Sequence, residues 1–174
     1  MRHEIMTASG RMIDPFRPRP ESICIHDICH QLSKKCRFSG ACDPYYSVAE
    51  HCVRCARIVM EWGNSRRVGL QALLHDAAEA YLVDVPSPIK RRDDMLAYRA
   101  AETELQYAIF RRFRVPDREF YCVKAADGIM LATESRDLMP NVIATDFNPQ
   151  LETIIPYTMD EAARAFMGTY ECLS

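Results

Sequence analysis

His51, the adjacent pair His75-Asp76, and Asp127 are the residues whose types and spacing point most directly to chemistry. Two imidazoles and two carboxylates form a donor set suited to a divalent transition metal. Their setting separates them from ordinary polar residues. Asp127 falls inside the apolar stripe of Phe120, Val123, Met130, Leu131 and Leu138, where an unpaired carboxylate is costly and calls for a cation, donors or a raised pKa. His51 borders the apolar stripe of its own helix, about 20° beyond Ile58 and about 20° short of Trp62 at roughly 100° per residue. Taken alone, His51 reads as a satisfied core histidine. Likewise His75, Asp76 and Glu79 read as the solvated face opposite Leu70, Leu73, Leu74, Ala77 and Tyr81. Helices of a bundle bring such groups to one interior point, and the joint pattern therefore favours a metal centre.

Two further motifs compete for a metal. His26-Asp27-Ile28-Cys29-His30 has the H-x-x-x-H spacing that puts two imidazoles on one helical face. Its Asp is a methylene shorter than the Glu that such protease motifs use, and no third ligand follows at a familiar interval. His30 is expected to pack in the core and His26 to be solvated. Cys52 and Cys55 form a C-x-x-C, a spacing that suits zinc or redox chemistry. They lie on the inner stripe Val48, Cys52, Cys55, Val59 and Trp62, so core thiols are the expected reading.

The elements that must position these groups are helices. Ile25, Ile28, Cys29 and Leu32 mark a short first helix. Longer helices are predicted over about 47–62, closed by Gly63-Asn64, over 65–82, ending before Pro86-Ser87-Pro88, and over 92–113. A fifth opens at Pro116-Asp117 and runs to about 138. Thr158 with Glu161 is a capping-box signature for a last helix over about 160–170. The stretch through Pro20, rich in Pro and turn signals, predicts a surface arm or short hairpin. The fold class expected is all-α, one domain over 1–174 with about six helices and an extended arm over 1–20.

Composition narrows the function. The 174 residues carry 22 Lys plus Arg against 24 Asp plus Glu, a net charge of -2, which argues against a nucleic-acid coat or a polybasic membrane binder. Phosphate must then be met by a local site. No apolar run approaches twenty residues and no leader pattern opens the chain, so the cytoplasm is expected and the eight cysteines are expected to remain thiols.

The order H…HD…D on helices resembles the HD-domain phosphohydrolases. Tyr46-Ser47-Val48-Ala49-Glu50-His51, the run from Ala72 to Leu82 containing His75-Asp76 and Glu79, and Val123-Lys124-Ala125-Ala126-Asp127 resemble the small nucleotide-hydrolysing branch of bacteria and phages, over roughly residues 5 to 170. That branch includes 5'-deoxynucleotidases and phage enzymes that strip phosphates from dATP. The resemblance implies an HD-type bundle in which His51, His75, Asp76 and Asp127 hold a divalent ion (Zn, Co, Mn or Mg), with a second ion at the phosphates as a further expectation.

It also implies roles for neighbouring side chains. Arg37 would grip phosphate, Phe38 would lie against base or sugar, and Lys124 would contact a phosphate. Glu79 would orient or deprotonate the attacking water, and Asp84 would serve the sugar, the leaving group or the second ion. With Lys90 added, the positive charge tilts the expectation toward a deoxynucleoside triphosphatase acting on dATP. A pocket near Phe38 and Pro86 with no room at purine C2 would exclude the 2-aminoadenine nucleotide. The alternatives are a 5'-deoxynucleotidase acting on monophosphates and a non-catalytic nucleotide-binding module. The partners expected are a small nucleotide and further copies of the chain, with no nucleic-acid polymer and no membrane.

Overall fold

The computed structural model describes residues 3–174; the first two residues of the expected arm lie outside that range. A two-residue hairpin opens the described chain, β1 (Ile5–Met6) pairing antiparallel with β2 (Met12–Ile13). Seven α-helices follow: α1 (Ile25–Leu32), α2 (Val48–Glu61), α3 (Arg66–Leu74), α4 (Ser87–Lys90), α5 (Leu96–Phe113), α6 (Tyr121–Leu138) and α7 (Met159–Leu173). The all-α class holds, and the arm is a short hairpin. Among the described residues, no helix is long and apolar enough to cross a membrane.

The hairpin is fastened to α1 by Asp27, a buried carboxylate that accepts from the Ser9 amide at 2.7 Å and the Ser9 hydroxyl at 2.8 Å. His26 and His30, on either side of it, are both exposed. The expectation that His30 packs in the core is therefore wrong: the inward face of α1 is taken by Asp27, Ile28, Cys29 and Leu32.

Helix α2 is the central element, packing on α3, α6 and α7. Ser47 caps it, its hydroxyl accepting from the Glu50 amide at 3.1 Å. Fully buried Val48, Ala49, Cys52, Val53, Cys55, Ala56 and Val59 fill the interior against Leu73, Leu74 and Phe166. Trp62 is 47% exposed, against the predicted stripe, because the helix ends at Glu61 and Gly63 turns the chain at a φ of 76°. At the other end of the chain, Thr158 and Glu161 form the predicted capping box.

The predicted helix over 65–82 is two pieces. Helix α3 stops at Leu74, Asp76 sits at φ -102° and ψ 17°, and a 3-10 turn covers Ala77–Ala80. Gln106 of α5 satisfies the backbone at this break, its Nε2 donating to the Leu74 carbonyl at 2.6 Å and its Oε1 accepting from the Ala78 amide at 3.0 Å. On the far side, the Lys35 ammonium donates to the carbonyls of Glu79, Ala80 and Leu82. Gln106→Ala strands two buried backbone groups, at a cost of about 1–3 kcal/mol for each. Thermal unfolding of this variant is expected to fall by several degrees, about 2–4 °C per kcal/mol for a chain of this size, and an unchanged midpoint would show the bonds to be dispensable.

Helices α5 and α6 begin later than predicted. A 3-10 turn at Asp93–Met95 precedes α5. The chain after Pro116 is irregular until Tyr121, and Phe120 is a 38% exposed cap residue instead of a stripe residue. Gly128, next to Asp127 on α6, leaves room for the Phe147 ring; a Cβ there would stand 2.3 Å from the ring.

Candidate metal centre

Three helical segments converge on one point. The Nε2 atoms of His51 (α2) and His75 (just after α3) are 3.2 Å apart. Asp127 Oδ1 (α6) lies 3.2 Å from His51 Nε2 and 4.0 Å from His75 Nε2. Asp76 Oδ2 lies 3.3 Å from His75 Nε2 and 3.7 Å from His51 Nε2. The sequence pattern thus named residues that do meet. Asp127 is not enclosed among apolar groups as its stripe position suggested: its side chain is 45% exposed and meets His51 Nε2.

The outer nitrogens of both imidazoles are committed. His51 Nδ1 donates to Glu134 Oε1 at 2.6 Å, and His75 Nδ1 donates to the Ala72 carbonyl at 2.7 Å. Each pairing fixes the ring orientation and leaves Nε2 facing the cluster, the arrangement that supports imidazole ligation. Glu134 was missed by sequence reasoning. It is fully buried, seven residues after Asp127 on the same face of α6, and its second oxygen accepts from Arg37 Nε at 3.1 Å. That two-turn spacing was the available signal.

Arg37 precedes a turn in which Phe38 and Ser39 take left-handed φ values of 54° and 53°. Its guanidinium bridges Glu134 and Asp76, with Nη1 3.4 Å from Asp76 Oδ2, and stands 5.3 Å from the centre of the Phe38 ring. It is therefore part of the cluster's charge balance as well as a potential phosphate contact. Glu79 is buried, with Oε2 lacking any hydrogen-bond partner among the described residues. Asp84 and Pro86 are half-buried beyond the 3-10 turn, and Lys124 is exposed. Lys90 does not supply the free charge expected of it: its ammonium is 2.6 Å from Glu102 Oε1 and 3.9 Å from Glu79 Oε1. A cleft of about 570 Å³ opens beside the cluster, with His75, Asp76, Glu79, Lys90, Gln106 and Arg118 among its walls.

Both C-x-x-C thiols are fully buried, as expected of core thiols, but they are turned toward the imidazoles. His51, Cys55, His75 and Asp127 each offer one ligand atom, all within 4.8 Å of one another, and Cys52, His75 and Asp76 form a second such group. A buried His/Cys/Asp group able to hold a metal ion is therefore present.

The electrostatics fit a cation. Burial acts to raise the pKa of Asp76, yet His75, His51 and Arg37 hold it far below the usual carboxylate range. Asp127 and Glu134 are likewise lowered against burial, Asp127 by His51 and Glu134 first by Arg37. Burial alone would lower both histidines, and Arg37 lowers His51 further. Cys55, Glu134 and Asp127 reverse this for His51 and Asp76 for His75, so both are held well above their ordinary value. Protons compete with a bound ion for these inward nitrogens. Ligation requires neutral imidazoles, so metal binding is expected to release protons and apparent affinity to rise with pH through the neutral range. Co2+ titrations at pH 6 and pH 8 check this, and equal affinities would contradict it.

The chain matches no protein-family model. It is 35% identical to the uncharacterized protein YfdR of Escherichia coli K12 over 178 aligned positions, covering 98% of this chain and 95% of that one. The chain belongs to the YfdR family. An uncharacterized protein of Rhodobacter capsulatus is 37% identical over 112 positions, 62% of this chain and 57% of that one.

Proposed function

We propose that the protein is an HD-type, divalent-metal-dependent phosphohydrolase acting on deoxynucleotide phosphates. The observation that carries this reading is the convergence of His51, His75, Asp76 and Asp127 with both Nε2 atoms left inward by Glu134 and the Ala72 carbonyl. A divalent ion held by these four residues supplies Lewis-acid activation of a water and of a phosphoryl group. Zn, Co, Mn and Mg are the candidates.

The remaining roles belong to the chain's own side chains. Glu79 has its carboxyl pushed up to about 8, first by burial and then by Asp76 and Asp84. A carboxyl poised near neutrality suits proton transfer, and its unpartnered Oε2 is available to a water. Asp84, whose pKa is also raised by burial with Arg37 opposing, would serve the sugar, the leaving group or a second ion. Arg37 would offer its Nη2 edge to a phosphate oxygen, Phe38 and Pro86 would border the nucleoside, and Lys124 would reach a distal phosphate from the rim. Glu79→Gln is expected to lower turnover by roughly 10²-fold or more with metal still bound. Unchanged turnover would favour a non-catalytic nucleotide-binding module.

The substrate proposed is dATP, with the 2-aminoadenine nucleotide excluded around Phe38 and Pro86. One observation favours a second reading. Because Lys90 is paired with Glu102 and Glu79, fewer cations remain for a triphosphate than its sequence position promised, and a 5'-deoxynucleotidase needs fewer. Incubating the protein with dATP, dAMP and the 2-aminoadenine triphosphate, and resolving products by chromatography, separates these. Cleavage of dATP with the diamino analogue intact supports the first; cleavage of dAMP with dATP intact supports the second.

A further inference from the structure

Cys55 stands one helical turn after His51 on α2, has no exposed surface, and places Sγ 3.5 Å from His51 Nε2. That nitrogen is the inward one, since Nδ1 is held by Glu134. The thiol therefore lies on the ligand side of the imidazole. It also lies within 4.8 Å of the ligand atoms of His75 and Asp127. A thiol that only fills core space has no need of three polar neighbours, and the other close thiol pair, Cys36 and Cys42, has none of the ligand residues beside it.

Two separations match coordination, and Asp127 Oδ1, 4.0 Å from His75 Nε2, would have to move inward by several tenths of an ångström to join them. An ion about 2.3 Å from sulfur and about 2.0 Å from nitrogen, with tetrahedral ligands, holds those two atoms about 3.5 Å apart, and two nitrogens about 3.3 Å apart. The structure has 3.5 Å between Cys55 Sγ and His51 Nε2 and 3.2 Å between the two Nε2 atoms.

We propose that Cys55 is a metal ligand, forming with His51, His75 and Asp127 a two-nitrogen, one-sulfur, one-oxygen set that selects thiophilic divalent ions. Coordination replaces the S–H bond by a bond from sulfur to the ion, and the proton leaves to water. In that state the four protein ligands would form a tetrahedral set that admits water or a phosphoryl oxygen by expanding to five-coordination, and Asp76 stays with Arg37. Oxygen-preferring ions such as Mg2+ or Mn2+ gain little from sulfur and draw on Asp76 instead. One centre thus has two ligand sets, distinguished by the softness of the ion. This inference rests on the metal-centre reading above.

The test is to add Co2+ to the purified, metal-free full-length protein and record the absorption spectrum. A near-ultraviolet thiolate-to-cobalt charge-transfer band is expected, retained in Cys172→Ser, whose thiol is exposed and outside the cluster, and lost in Cys55→Ser while the visible cobalt bands show that metal still binds. In the wild-type protein loaded with 113Cd, the cadmium resonance is expected downfield of sites with only nitrogen and oxygen ligands, a measurement that needs no variant if Cys55→Ser fails to fold. Visible cobalt bands without the charge-transfer band, a band that survives Cys55→Ser, or a cadmium resonance in the nitrogen and oxygen range overturns the role of Cys55 and leaves the metal centre standing. No cobalt bound to the wild-type protein overturns both.

Discussion

Asp127→Ala is expected to abolish bound divalent metal and hydrolytic activity together while the helical fold persists. Asp127 Oδ1 faces both inward imidazole nitrogens, so its loss removes one negative ligand from a centre that otherwise gathers imidazoles and an Arg37-paired carboxylate. Its side chain is nearly half exposed, so truncation leaves no enclosed cavity and little packing is lost. Turnover should fall on the order of 10³-fold or more, equivalent to about 4 kcal/mol of transition-state stabilisation. Metal content per protein and the far-ultraviolet circular dichroism spectrum, taken on the same sample, separate loss of ligand from loss of fold. Full activity in this variant would remove Asp127 from the centre.

Glu134 gives the second large effect, and it divides by substitution. Glu134→Gln keeps the volume and can still accept from His51 Nδ1, but it loses the charge that orients the imidazole and balances Arg37. Metal affinity is expected to fall by about 10–100-fold, the range typical of a partner that supports a ligand without touching the ion. Glu134→Ala goes further. It leaves the Arg37 guanidinium, only 12% exposed, without its main partner, and breaking a buried ion pair from one side costs about 3–5 kcal/mol. A lower unfolding temperature for the alanine variant than for the glutamine variant, with both weakened in metal binding by calorimetry, is the expected pattern. Equal metal affinity in Glu134→Gln and wild type would show that the carboxylate serves packing alone.

What was legible in the sequence depended on whether its cause was local. The Thr158 and Glu161 box and the apolar stripe of α2 act over a few residues, and those helices lie close to where their patterns put them. The end of α3 was not legible. Its helical period continues through Ala77 and Tyr81 with no Gly or Pro between Leu74 and Leu82, and the break is held by Gln106 and Lys35, which arrive from α5 and from the loop after α1. The same limit applies at the site. His51, His75, Asp76 and Asp127 could be read as a set because their residue types share one chemistry. Glu134 carries no such mark until His51 and Arg37 are seen to meet it. The partner of Lys90 is likewise set by how the short α4 docks against Glu102 of α5, and no spacing rule reports that.

We propose that this cluster binds a divalent ion and hydrolyses nucleotide phosphates with it. The most direct measurement is release of product from a panel of deoxynucleoside mono- and triphosphates by metal-stripped protein, before and after addition of Mn2+, Co2+, Mg2+ or Zn2+. The expected result is no release without metal, restored release with at least one ion, and none with that ion in His75→Ala or Asp127→Ala. Release that is equal with and without metal, or no release from any nucleotide with any of the four ions by protein shown to have bound them, would contradict it.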